Sequence, residues 1–119
     1  TFMNYALVPD SGGAGRNRGG LGLTRSWRID SEAANFTAQM DRFRFTPFGL
    51  HGGSAGARGH LVLTRDGKEQ ALHSKVSNMR LAKGDIVRLV TSGGGGLGLP
   101  SDRSVEAIAA DRVAGYVKA

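Results

Sequence analysis

Pro9-Asp10-Ser11-Gly12-Gly13-Ala14-Gly15-Arg16-Asn17-Arg18-Gly19-Gly20-Leu21-Gly22 sets six glycines and two arginines between one apolar run and the next. Ser92-Gly93-Gly94-Gly95-Gly96-Leu97-Gly98-Leu99-Pro100 is a second cluster, and Leu50 to Gly59, with Gly52, Gly53, Gly56 and Gly59, is a third. Glycine admits φ > 0, or lets another backbone or a ligand come close. Clusters bounded by strand-like segments read as shaped loops, whereas a periodic array would read as fibre or linker. Gly12, Gly13, Gly15, Gly19, Gly20, Gly52, Gly53, Gly93, Gly94, Gly95 and Gly96 are the expected loop-shaping positions.

The segments between the clusters alternate as strands do. Phe2 to Val8 runs into the Pro9-Asp10 turn, and Leu21 to Ile29 alternates loosely through Leu21, Leu23, Trp27 and Ile29. Phe36, Ala38 and Met40 share one parity and Phe43 and Phe45 the other, which predicts a strand over Phe36 to Phe45 with a bulge or bend near Asp41-Arg42. His60 to Thr64 and Lys68 to Leu72 flank Arg65-Asp66-Gly67, a strong hairpin signal. Ile86 to Thr91 reads as a buried strand. One helix is expected: Ser104 as N-cap, an apolar stripe of Val105, Ile108, Ala109 and Val113, and Gly115 as the stop. The fold class is therefore mainly β, in antiparallel sheets or a barrel-like arrangement with Gly-rich loops, plus one C-terminal α-helix.

The chain has 119 residues, one domain's worth, and an apolar fraction of 39% with 7% aromatics supports a modest core. Its 19 glycines carry an entropic burden on the order of 10 kcal/mol if all sat in ordinary conformations, comparable with the net stability of a domain. Many must stand where only glycine fits, and the chain leans on a partner. No cysteine is present, which suits the cytoplasm. No apolar run approaches a membrane span. The start at Thr1 reads as a fragment end, a processed end or a short subunit.

The net charge is +6, with twelve arginines against four lysines, a ratio suited to bidentate interface contacts. The basic residues are dispersed without runs, so an acidic partner surface fits better than nucleic acid. His51, His60 and His73 show no metal-ligand spacing. Ser11 and Ser92 precede glycines but lie in no nucleophile elbow, and turn closure is the simpler role. Nothing near Thr1 supports an N-terminal nucleophile. Gly12 to Arg16 matches neither a Walker loop nor a dinucleotide fingerprint, and Arg-Asn-Arg-Gly-Gly occurs once, not as a repeated RNA-binding tract. Arg16 and Arg18 remain candidates to hold a carboxylate of a substrate or of a neighbouring subunit. No catalytic residue is identified and no metal ligand is expected.

In order along the chain, Asp10-Ser11-Gly12-Gly13-Ala14-Gly15-Arg16-Asn17-Arg18-Gly19-Gly20-Leu21-Gly22, then Asp41-Arg42 and Pro47-Phe48-Gly49-Leu50-His51-Gly52-Gly53-Ser54-Ala55-Gly56 form two blocks. Lys83-Gly84-Asp85-Ile86-Val87-Arg88 leads into Thr91 to Gly98, and Pro100, Arg103, Val105-Glu106, Asp111 and Gly115-Tyr116-Val117 close the series. This ordered set resembles the C-terminal portion of the hydantoinase B/oxoprolinase family, with Leu97 and Leu99 standing where the family usually has an aromatic and an acidic residue. The resemblance implies residues 1–119 as a single unit, the C-terminal domain or small subunit of an ATP-dependent cyclic-amide hydrolase, contributing scaffold and interface and inactive alone. It implies hydantoinase A-like and B-like large chains as partners, with ATP and a divalent metal elsewhere in the assembly and no cofactor in this chain. Arg16, Arg18 and Arg42 are then the expected contacts to an anion or neighbouring chain. Alternatives are a non-catalytic subunit of a related ATP-dependent ketone carboxylase, or a small basic nucleic-acid-binding module.

Overall fold

The computed structural model describes residues 1–118 and builds them from seven strands, one 3-10 turn and one helix. β1 (Phe2–Leu7), β2 (Leu23–Arg28), β7 (Ile86–Val90), β4 (His60–Arg65) and β5 (Lys68–Leu72) lie side by side in that order, every pair antiparallel. β3 (Ala33–Gln39) and β6 (Lys75–Ala82) form a separate two-stranded antiparallel sheet. Neither sheet closes into a barrel. Asp66 and Gly67 link β4 to β5 at φ of 53° and 75°, the conformation of a type I′ hairpin turn, for which Asp-Gly is suited.

The core lies between the two sheets. Leu61 and Leu63 of β4 and Val87 of β7 pack against Ala38 of β3 and Leu81 of β6. Phe36, Val76, Met79 and Leu89 surround them. Cross-strand partners share a face, and Leu61 and Leu63 stand opposite Leu89 and Val87, which in turn stand opposite Arg25 and Trp27 of β2. The core face therefore continues from β7 across β2 to Tyr5 and Leu7 of β1. The core cluster holds residues of β3, β6, β4, β7 and β5 and none of β1. All six β1 residues are exposed.

Three expectations are corrected. The third strand begins at Ala33 and ends at Gln39, and its register shift lies between Phe36 and Ala38; the bend expected near Asp41-Arg42 falls at Phe43, Arg44 and Phe45, just after Arg42 at φ 65°. β6 carries no clean alternation because Asn78, at φ 52°, interrupts it, so periodicity alone passes it over. α1 (Val105–Val113) starts on Ser104, whose side chain accepts from the Ala107 amide, but buries Asp111 and not the expected stripe. Val105 is 78% exposed and Val113 91%. After the helix, Gly115 at φ 78° lets its own amide reach the Arg112 carbonyl and the Tyr116 amide reach that of Asp111, a Schellman stop.

Candidate functional site

The three glycine clusters form one body. The Gly13 amide donates to the Gly94 carbonyl and Gly94 to Gly20; Gly96 donates to Ser54 and Ser54 to Ala14; Gly93 donates to Ala57 and Ala57 to Ser11. Leu97 exchanges both main-chain bonds with Asn17 at 2.9 Å. The reason for glycine is close approach, not backbone handedness. A Cβ at Gly13 would overlap the Ser54 carbonyl oxygen, and one at Gly19 that of Gly94. Gly12, Gly15, Gly53, Gly93, Gly95 and Gly96 likewise face main-chain atoms inside 3 Å. Gly52 differs in having φ of 90°, Gly94 has its nearest neighbour at 3.2 Å, and Gly20 borders open space.

An anion-binding glycine loop needs free amides aimed at the ligand. Here the amides of Gly13, Gly19, Gly53, Gly56, Gly93, Gly94, Gly96 and Gly98 all donate to protein carbonyls. These eight amides are not free to cradle a phosphate. Ser11 belongs to it as a turn closer: its hydroxyl donates to the Val8 carbonyl at 2.6 Å and accepts from the Gly22 amide at 2.8 Å.

Charge is concentrated where this body meets the helix. The Asp111 carboxylate, 5% exposed, accepts Arg18 Nε at 2.8 Å on Oδ2. Arg103 grips it with both forks, Nε to Oδ2 and Nη2 to Oδ1, each at 3.0 Å. Arg103 Nη1 donates to the Arg16 carbonyl at 3.0 Å. The hydrogen bond from Arg18, and next that from Arg103, hold the Asp111 carboxyl below its usual value against the opposing effect of burial. Two guanidiniums share one carboxylate, leaving one positive charge over.

That surplus faces a cleft. Arg18, Arg103 and Asp111 line a cavity of about 470 Å³ with Leu7, Leu21, Asn17 and Tyr116. Among the described hydrogen bonds, Arg18 uses only Nε, and it lines both this cleft and a second one of about 360 Å³ with Asp10, Pro100 and Ile108. Apolar walls with one unsatisfied guanidinium suit a carboxylate on an apolar body.

The structure thus places Arg16 and Arg18 beside the same helix contact, Arg16 through its main chain with an exposed side chain. Arg42 lies elsewhere, in a cleft of about 450 Å³ with Phe43, Arg44, Phe45 and Lys75. Arg103 and Asp111 were absent from the expected contact residues. One signal was available: an aspartate in the last turn of a helix, where the macrodipole disfavours a carboxylate unless cations hold it. A second buried carboxylate, Asp85, accepts Arg65 at 2.6 Å and the Ala82 amide at 2.8 Å, pinning the β6–β7 turn to the end of β4. Its Arg65 hydrogen bonds are the main cause of its lowered pKa. Among the described residues no three His, Asp or Glu side chains converge as a metal site. No helix among them is long and apolar enough to cross a membrane.

The family described as Hydantoinase B/oxoprolinase matches residues 1–100. An uncharacterised protein of Methanocaldococcus jannaschii is 39% identical over 110 residues, covering 92% of this chain and 19% of that one. 5-Oxoprolinase 1 of Arabidopsis thaliana is 33% identical over 95 residues, 79% of this chain and 7% of its own. The crystal structure of an ATP-dependent caprolactamase from Pseudomonas jessenii superposes with a TM-score of 0.77 at 26% identity, over 98% of this chain and 21% of that one. This chain therefore spans a fifth or less of the curated relatives it matches. The ordered glycine blocks, the antiparallel body they stitch together and these likenesses agree: the chain belongs to the hydantoinase B/oxoprolinase family.

Proposed function

We propose that this chain serves as the C-terminal domain or a small subunit of an ATP-dependent cyclic-amide hydrolase of the hydantoinase B/5-oxoprolinase type. It supplies scaffold and interface; ATP, a divalent metal and the bond-breaking groups belong to other parts of a cytoplasmic assembly with hydantoinase A-like and B-like large chains. The observation that carries this reading is the glycine body itself, in which main-chain hydrogen bonds lace the three clusters together and eight glycine amides already donate to carbonyls. Such a body holds shape. The similar proteins named above point to the substrate class, since 5-oxoproline and caprolactam are both cyclic amides.

In this role Arg16 and Arg18 meet a carboxylate of a neighbouring chain or of a bound acid, and Arg42 a separate anionic contact. The test is turnover. The isolated chain should hydrolyse neither 5-oxoproline nor a hydantoin with ATP, whereas an assembly purified through it should release the ring-opened acid and ADP. Turnover by the chain alone refutes the proposal; bicarbonate-dependent ATP use in place of ring opening replaces the hydrolase with a carboxylase. Steeply salt-dependent binding to nucleic acid would install the third reading.

A further inference from the structure

An unfinished face runs across one end of the five-stranded sheet. The β3–β6 sheet covers the β7–β4–β5 half, where Leu61, Leu63 and Val87 are buried. On the same face Tyr5, Leu7 and Phe2 of β1, opposite Arg25, Leu23 and Trp27, are exposed. The strand's edge is also open. Val8 donates to the Gly22 carbonyl at 2.8 Å. By the alternation of an antiparallel ladder, Ala6 and Asn4 then face β2, while Tyr5 and Leu7 direct their main-chain groups outward. An exposed apolar edge strand is what soluble proteins avoid unless something pairs with it, although a register shift between Phe2 and Asn4 interrupts this one near its start.

The face leads into the charged cleft. Leu7 belongs to both, and beyond it lies Arg18. Whatever covers β1 therefore meets apolar side chains, the Arg25 guanidinium over the Tyr5 ring at 5.5 Å, and Arg18 beyond the end of the strand. Size points the same way. The exposed surface is 7481 Å², against about 6,200 Å² for a folded chain of this mass, an excess of about 1,300 Å². A stable interface takes about 800 Å² from each partner. A second copy fits less well, because β1 (Phe2–Leu7) carries no carboxylate to bring to Arg18 of another copy.

We propose that β1 and the sheet face beside it are the docking surface for an extended apolar strand of a hydantoinase B-like large chain, with an acidic residue at the end that enters the Arg18 cleft. The strand adds to the sheet by main-chain pairing at Tyr5 and Leu7, its side chains on the core face pack beside those of Tyr5 and Leu7, and its carboxylate meets Arg18. The identity of the partner rests on the function proposed above; the surface does not.

The experiment uses the full chain, tagged at its C-terminus, expressed in its native host and alone. Partners are identified by mass spectrometry, and amide hydrogen exchange is compared between assembly and lone chain. A hydantoinase B-like chain should be captured, with exchange at Tyr5 and Leu7 slowed at least tenfold while the opposite edge, β5, is unchanged. Tyr5→Asp and Leu7→Asp should each release the partner, Arg18→Ala should weaken it at least tenfold, and Val113→Asp should leave it bound. Unprotected Tyr5 and Leu7 amides overturn the proposal, as does a homodimer formed through β1, or capture of no hydantoinase B-like chain. Lone-chain circular dichroism of each variant separates loss of docking from loss of folding, and a folded Tyr5→Asp variant that still binds also refutes it. An assembly that opens cyclic amides with β1 unprotected sinks the surface and spares the function. A protected β1 in an assembly with no cyclic-amide turnover does the reverse.

Discussion

Asp111 and Gly13 show how much depends on single atoms in this chain. At Gly13 an added methyl group would overlap the Ser54 carbonyl oxygen and crowd the Gly96 amide, and both belong to the main chain, which cannot rotate away. Gly13→Ala should therefore lower stability by about 3 kcal/mol or more, in the range of severe overpacking. Gly20, one cluster-mate along, has nothing within 4 Å and no positive φ. Gly20→Ala should raise stability by about 0.4–1 kcal/mol through the unfolded chain. Urea titration of the two variants checks both, and equal effects would refute the close-approach reading. Asp111→Asn keeps the shape but removes the charge that two guanidiniums share; about 1.5–3 kcal/mol should be lost, as for hydrogen bonds to charged groups. The same pair sets the acid response. The native carboxyls of Asp111 and Asp85 titrate below the ordinary 3.8, so the unfolded chain binds protons first as pH falls. Their stabilisation is complete above about pH 5 and fades through pH 3.8 downward. In Asp111→Asn that acid-side slope of the thermal midpoint should be shallower than in the parent.

Where a segment's local chemistry is self-sufficient, the sequence was readable. The β4–β5 hairpin is set by Asp66-Gly67, the helix by Ser104 and Gly115, and β7 by its β-branched run. Reading failed where tertiary contacts decide. β6 was missed because Asn78 at φ 52° shifts the parity between Val76 and Met79, so the residues that pack on the core follow no period of two. The end of β3 was misplaced for a related reason: Phe43 packs against the core from a bend outside the strand. The face of α1 was misread because its buried group is an aspartate, which apolar periodicity ignores. Of the site, Arg16 and Arg18 were visible as basic residues in a glycine block. Their partner was not, since Arg18 and Asp111 lie 93 positions apart. Asn78 makes the strand-level argument testable. Its amide donates to Thr37 Oγ1 at 2.9 Å, a bond that survives any side chain. Asn tolerates the left-handed region and a β-branched residue does not. Asn78→Gly should be neutral or mildly stabilising, and Asn78→Val should cost about 1–2 kcal/mol. Thermal unfolding of the pair distinguishes a left-handed bulge from an ordinary strand position, for which valine would be the better residue.

Taken together, the dimensions describe an elongated body with a thin core. The Cα radius of gyration is 16.8 Å over extents of 53 × 27 × 18 Å, against about 13.5 Å for a compact chain of this length. Among the described residues seven apolar side chains are buried, few for a chain that must order 19 glycines. Rigidity comes instead from the main-chain lacing of the glycine body and from two arginine–aspartate clusters, one at each end of the long connections they close. These arrangements fix shape and contribute little apolar burial, and under the docking proposal an interface supplies the remainder. The apolar surface of β1 should then be dispensable for the lone chain. Met3→Lys and Leu7→Lys alter side chains about half exposed, 52% and 49%, and each should change the unfolding free energy by no more than about 0.5 kcal/mol, as surface substitutions do. Both should raise the concentration at which the chain aggregates, because lysine blunts an open edge. Leu63→Ala, deep in the core, should by contrast cost about 2–5 kcal/mol. Denaturant titration and light scattering on the three variants decide the matter: if Met3→Lys and Leu7→Lys destabilise the isolated chain as Leu63→Ala does, β1 is part of a self-sufficient core and the body is complete without a partner.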